Sequence, residues 1–154
     1  DRDVTGVQTC ALPILKKKAP IIITPHPGEM SRLTGLATPL VNAERERVAL
    51  DFAQKYGVVT VLKGAGTVIA SPNGKVLVNP TGNSGMATGG SGDVLAGMTA
   101  SILAQGASAF SSAAAAVYLH GLAGDIAAEK YGKISMLPTD LINCIPLAYK
   151  RCGF

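Results

Sequence analysis

The chain has 154 residues, 47% of them hydrophobic and 16% charged, with a formal net charge of +4. A sequence this apolar is not a disordered one, and its length suits about one domain with a single core. With no Trp and 5% aromatic residues, that core has to be built from Ala, Val, Ile and Leu.

The basic residues are scattered apart from Lys16-Lys17-Lys18. A run of three is a solvated face rather than a nucleic-acid patch, so no nucleic acid is expected as partner. The cysteines, Cys10, Cys144 and Cys152, are odd in number and never C-x-x-C spaced. They form neither a disulfide framework nor a zinc site and fit a reducing, cytoplasmic setting. The first fifteen residues lack the apolar core of a signal peptide. Val94–Gly124 contains no Asp, Glu, Lys or Arg, yet Gly97, Ser101, Gln105, Gly106 and His120 interrupt it. Two buried helices joined at Gln105-Gly106-Ala107 are expected there, and no membrane span.

In chain order, Pro20–Thr24 reads as a short strand buried on both faces, because its apolar run is continuous and β-branched. Pro25-His26-Pro27-Gly28 ends it. Asn42 is expected to cap a helix over Ala43–Tyr56 that stops at Gly57. Val58–Leu62 reads as a second buried strand. Thr67–Ser71 and Lys75–Asn79 flank Pro72-Asn73-Gly74 as a hairpin. A glycine-rich loop follows over Thr81–Gly92, then helices over about Ser91–Gln105, Ala107–Tyr131 and from near Thr139. This order describes an α/β layer protein whose sheet is not purely parallel.

The densest chemistry lies in Asn79–Asp93, which holds Gly82, Gly85, Gly89, Gly90 and Gly92. Glycines let consecutive amide N–H groups converge on an anion, and a helix N-terminus adds a partial positive charge. Gly89, Gly90, Ser91 and Gly92 therefore form a candidate phosphate cradle. It is not a Walker A loop, because Ser91 stands where Lys is required. It is not a dinucleotide fingerprint either, because Leu95 replaces the third glycine. Asp93, in the first helical turn, either offsets the helix dipole or acts as a general base; the adjacent anion loop favours the base.

Lys63-Gly64-Ala65-Gly66-Thr67 follows a strand, where α/β proteins place ligands. It reads either as a nucleotide-contacting loop or as a tight turn with an exposed Lys. His26, stiffened by prolines on both sides, follows the other strand. Glu29 is either an N-terminal helix charge or a carboxylate near a magnesium ion held mostly by phosphates and water. His120 reads as a core or nucleotide-packing histidine.

Thr24-Pro-His-Pro-Gly-Glu-Met30, Lys63-Gly-Ala-Gly-Thr67, the long glycine motif ending at Asp93 and Tyr118-Leu-His-Gly-Leu-Ala-Gly-Asp125 occur together in this order. The set resembles the ADP/ATP-dependent NAD(P)H-hydrate dehydratases. The resemblance implies a ribokinase-like, layered α/β/α fold with a mostly parallel sheet, here N-terminally truncated. It implies repair of NADH or NADPH hydrate: ADP or ATP phosphorylates the hydrate hydroxyl, and phosphate is then eliminated. Carried over, Asp93 is the base on the substrate hydroxyl and His26 contacts the hydrate. Lys63, Gly64, Ala65, Gly66, Thr67 and Gly92 contact the adenine nucleotide, and Glu29 sits where related kinases keep a magnesium-linked glutamate.

The resemblance begins at about Leu15. Residues 1–14 resemble translated sequencing-adapter read-through, so 15–154 are expected to be the C-terminal part of a longer domain, with an epimerase domain upstream in the parent as one arrangement. The strand at Ile21–Ile23 would then present an unpaired edge that favours association with a second copy. A ribokinase-like kinase for a small alcohol or vitamin precursor, and an inactive nucleotide-binding fragment, are the alternatives.

Overall fold

The computed structural model describes residues 19–154, so the expectation for residues 1–14 lies outside the described residues. The chain divides into two compact units, one ending at Val78 and the other running from Asn79 to Phe154.

The first unit holds β1 (Ile22–Ile23), α1 (Pro27–Thr34), α2 (Thr38–Ala43), α3 (Arg45–Tyr56), β2 (Val59–Leu62), β3 (Val68–Ala70) and β4 (Val76–Val78). The strands form one sheet in the order β1-β2-β3-β4. β1 and β2 are parallel, with Ile22 opposite Val59 and Ile23 opposite Thr60. β2–β3 and β3–β4 are antiparallel, the latter through the expected Pro72-Asn73-Gly74 turn. The sheet is thus mixed among the described residues, not mostly parallel, because the hairpin supplies two of its four strands.

β2 is buried along its whole length, as its continuous apolar run predicts. β1 has the same composition but is only half-buried. It stands at one end of the strand order, so the composition of an edge strand read as that of a covered one. The core joins Met30, Val41, Val48, Ala49, Phe52, Ala53, Val58, Leu62, Val68 and Ala70, with α3 laid against β2 and β3.

Asn42 does not cap α3. Thr38-Pro39 opens a separate short helix, with proline in its first turn, and Asn42 lies inside it. The backbone leaves helical geometry at Glu44 (φ −124°, ψ 41°), and α3 restarts at Arg45. Gly57, in the left-handed region at φ 63°, ends it as expected.

The second unit is helical: α4 (Ser91–Ala104), α5 (Ala109–Tyr131) and α6 (Pro138–Arg151), preceded by the glycine-rich loop with a 3₁₀ turn over Ser84–Met86. α5 packs against both α4 and α6. Its buried face includes Val117, Leu119 and Ile126 together with Ala113, Ala116, Ala123 and Ala127, the alanines being small residues that let the helices approach closely. Among the described residues no helix is long and apolar enough to cross a membrane.

Candidate functional site

In the first unit, parallel pairing of β1 and β2 brings the ends of both strands side by side. The Lys63 amide donates to Pro25 O (2.8 Å), extending the contact past the last paired residues. The segments that follow, at His26 and at Lys63, therefore leave the sheet from the same edge.

His26 is the N-cap of α1. Its Nδ1 accepts the amide N–H groups of Gly28 (3.1 Å) and Glu29 (3.2 Å). Glu29 returns the contact, its Oε2 accepting the His26 amide at 2.7 Å, which closes a capping box. Gly28 makes room: a Cβ there would lie 3.1 Å from His26 Cε1. With Nδ1 accepting twice, the ring proton belongs on Nε2, which faces Glu29 Oε1 at 3.3 Å. Lys63 Nζ stands 3.8 Å from Glu29 Oε2. The structure thus joins candidates from two separate motifs, His26 and Glu29 from one and Lys63 from the other. Their side chains are 50%, 42% and 26% exposed, so all three can meet a ligand.

Lys63–Thr67 turns sharply, with Gly64 at φ 142° and Gly66 at φ 62°. Thr67 Oγ1 donates to Gly64 O (3.0 Å). Ala65 is exposed. Beneath this loop lies a residue that sequence reasoning missed. Arg45 Nη2 donates to Leu62 O (2.8 Å), Lys63 O (3.2 Å) and, more weakly, Gly66 O (3.4 Å). Its Nε is buried without a partner, and burial holds the guanidinium's pKa below its ordinary value. In sequence, Arg45 was simply part of the helix expected over Ala43–Tyr56, with nothing to mark it.

The second unit carries the other candidates. Gly90, at φ 95°, is the N-cap of α4, and Asp93 N and Val94 N both donate to Gly90 O (3.1 Å). Among the described residues the amides of Gly89, Gly90 and Gly92 have no acceptor, which leaves donors at the positive end of a helix. Ser91 is buried, and its carbonyl accepts from His120 Nε2 at 3.0 Å. Ser91 Oγ lies 3.4 Å from the same nitrogen. His120 is 8% exposed and fits the expected packing role. Burial lowers its pKa, partly offset by the Ser91 carbonyl. Asp93 is exposed in the first turn. No side chain caps this helix, so Asp93 does not close a capping box.

The loop leading to this helix is fastened to α5. Asn79 Nδ2 donates to Thr81 O (2.9 Å), and Thr81 Oγ1 donates to Tyr118 O (2.9 Å). Gly82 N and Asn83 Nδ2 donate to the two carboxylate oxygens of Asp125, each at 2.9 Å. Asn83 Oδ1 accepts the Gly85 amide at 3.0 Å. Two glycines of α5 allow this approach: a Cβ on Gly121 would lie 2.1 Å from Thr81 Oγ1, and one on Gly124 2.3 Å from Met86 Sδ.

The donors do not form a protein-held metal centre. Among the described residues no group of three His, Cys, Asp or Glu could hold an ion. Both Glu29 oxygens already face His26 or Lys63. Only a cation carried on phosphates and water suits this carboxylate.

A family model described as NAD(P)H-hydrate dehydratase matches residues 4–147. The chain is 46% identical over 147 residues to the bifunctional NAD(P)H-hydrate repair enzyme of Thermofilum pendens, covering 96% of this chain and 28% of that protein. It is 38% identical over 136 residues to the ADP-dependent (S)-NAD(P)H-hydrate dehydratase of Bacillus subtilis, covering 88% of this chain and 49% of that one. The crystal structure of the ADP/ATP-dependent NAD(P)H-hydrate dehydratase from B. subtilis, co-crystallized with ATP/Mg2+, superposes with a TM-score of 0.83 at 38% identity over 86% of this chain and 48% of that one. A ribokinase-like superfamily protein from Enterococcus faecalis V583 superposes with a TM-score of 0.75 at 34% identity, over 96% of this chain and 50% of that one. The chain thus spans about half or less of the relatives it matches, and its α/β fold is shared with ribokinase-like proteins.

Proposed function

The chain belongs to the NAD(P)H-hydrate dehydratase family, and we propose that it carries the nucleotide loop and the catalytic carboxylate of a dehydratase that returns NADH or NADPH hydrate to the reduced cofactor. In this reading ADP or ATP gives its terminal phosphoryl group to the hydrate hydroxyl, and Asp93 takes the hydroxyl proton. The carbon–oxygen bond then breaks to release phosphate, and a proton leaves the neighbouring ring carbon, restoring the 5,6 double bond. The free amides of Gly89, Gly90 and Gly92 receive phosphate oxygens, with Ser91 fixed beneath them by His120. Lys63, Gly64, Ala65, Gly66 and Thr67 hold the nucleotide, and His26 contacts the hydrate through Nε2–H. Magnesium, when bound, neutralises phosphate charge, with Glu29 reached through water.

The observation that carries this reading is Asp93, exposed in the first turn directly after a cradle of unpaired amides. A carboxylate beside bound phosphate is repelled, and it is tolerated where it must take a proton from an attacking hydroxyl. The bifunctional relatives support an epimerase domain in the longer protein, and the edge position of β1 supports association with a second copy. Incubation with NADH hydrate, magnesium and ADP or ATP tests the reading. Return of NADH absorbance with matching phosphate release is expected. A stable phosphoester would assign a small-molecule kinase instead, and nucleotide binding without turnover an inactive nucleotide-binding piece.

A further inference from the structure

The fastening of the Lys63–Thr67 loop by Arg45 has a directional effect. In a trans peptide the C=O of one residue and the N–H of the next point in opposite directions, and no peptide bond among the described residues is cis. Arg45 draws the Leu62 carbonyl toward itself, and the Lys63 N–H on the far side of that peptide donates to Pro25 O. It draws the Lys63 carbonyl as well, so the Gly64 N–H must also face away from the guanidinium. That amide has no acceptor among the described residues. Gly64 permits the arrangement, since a Cβ there would lie 2.7 Å from Arg45 Nη1.

We propose that Arg45 is a positioning residue for the nucleotide: by gathering the Leu62 and Lys63 carbonyls on one face of the loop, it turns the Gly64 amide to the opposite face, free to donate to a nucleotide bound there. The inference rests on the reading of Lys63–Thr67 as the nucleotide loop. Both carbonyl contacts come from one nitrogen, Nη2, whose N–H groups are held in the fixed guanidinium plane, an aim that the freely rotating ammonium of a lysine lacks.

The test measures ADP affinity of the chain with magnesium by calorimetry, with hydrogen exchange over Lys63–Thr67, for wild type, Arg45→Lys and Arg45→Gln. Both variants are expected to bind ADP roughly tenfold more weakly, the loss of one charge-assisted contact network. The slowing of Gly64 exchange by ADP should vanish, while the melting temperature of Arg45→Lys stays near wild type. Wild-type affinity and protection in Arg45→Lys would overturn the proposal. So would a fall in affinity matched by a general fall in melting temperature, since that marks a structural brace. A wild-type chain that does not bind ADP would instead overturn the nucleotide-loop reading and the proposal with it, a failure recognised by the sample in which it appears.

Discussion

The Gly82 amide donates to Asp125 Oδ2 at 2.9 Å, across 43 positions of sequence. The other oxygen of the same carboxylate accepts Asn83 Nδ2, also at 2.9 Å. One side chain of α5 therefore holds the entry to the glycine-rich loop by two bonds. Asp125→Asn keeps the shape but replaces one acceptor with a donor. It should destabilise the second unit by roughly 1.5–3 kcal/mol, the usual range for hydrogen bonds to a charged partner, and speed hydrogen exchange over residues 81–86. Unchanged exchange there would remove Asp125 from this role.

Two glycines of α5 separate by how their neighbours can yield. A Cβ on Gly121 meets Thr81 backbone C at 2.8 Å as well as its hydroxyl, whereas one on Gly124 meets only the thioether end of Met86. Gly121→Ala should be the costlier change, at about 1–3 kcal/mol in urea unfolding. Gly124→Ala should be largely rescued by Met86→Ala. A double-mutant cycle measures that coupling; additive effects would contradict the contact.

His120 gives the second unit a pH dependence. Its pKa in the folded chain lies below the ordinary 6.5, so the unfolded chain takes up the proton first as pH falls. Stability is full above 6.5 and declines from there down to the lowered folded value. His120→Gln keeps a donor for the Ser91 carbonyl without titrating. The difference in unfolding free energy between pH 7 and pH 5 should therefore shrink in the variant; an equal acid loss in both proteins would exclude His120 as its source.

Asp93→Asn keeps size and removes the carboxylate proposed as the base. With the dehydratase reaction as the assay, the rate should fall by about 10²–10⁴, with nucleotide affinity held or raised, because a like charge beside the phosphates is gone. A near-normal rate would leave Asp93 as a helix-dipole charge.

How much of this was legible in the sequence depends on the residue. The glycine-rich loop that runs into a helix at Ser91 was, because that arrangement is written in consecutive backbone positions. β2 was also legible; for β1 the continuous apolar run overstated the burial, although an open edge at Ile21–Ile23 was expected. The start of α3 was displaced: Pro39 opens a helix of its own, and the break at Glu44 moves the helix start to Arg45, the position from which a guanidinium reaches Leu62 and Lys63. The His26 cap was hidden because capping rules favour Ser, Thr, Asp and Asn, although Pro27 and Glu29 supplied the rest of the signature.

The parallel register of β1 and β2 has a consequence for folding fidelity. Ile21, Ile22 and Ile23 are nearly interchangeable as packing partners for Val58 and Val59, so hydrophobicity alone barely distinguishes the native alignment from one shifted along the strand. A shift would carry Lys63 about 3.3 Å or more along the sheet, away from Pro25 and from the Glu29 carboxylate. The contacts that assemble the His26–Glu29–Lys63 cluster are therefore the same contacts that tell this strand pair it has aligned correctly.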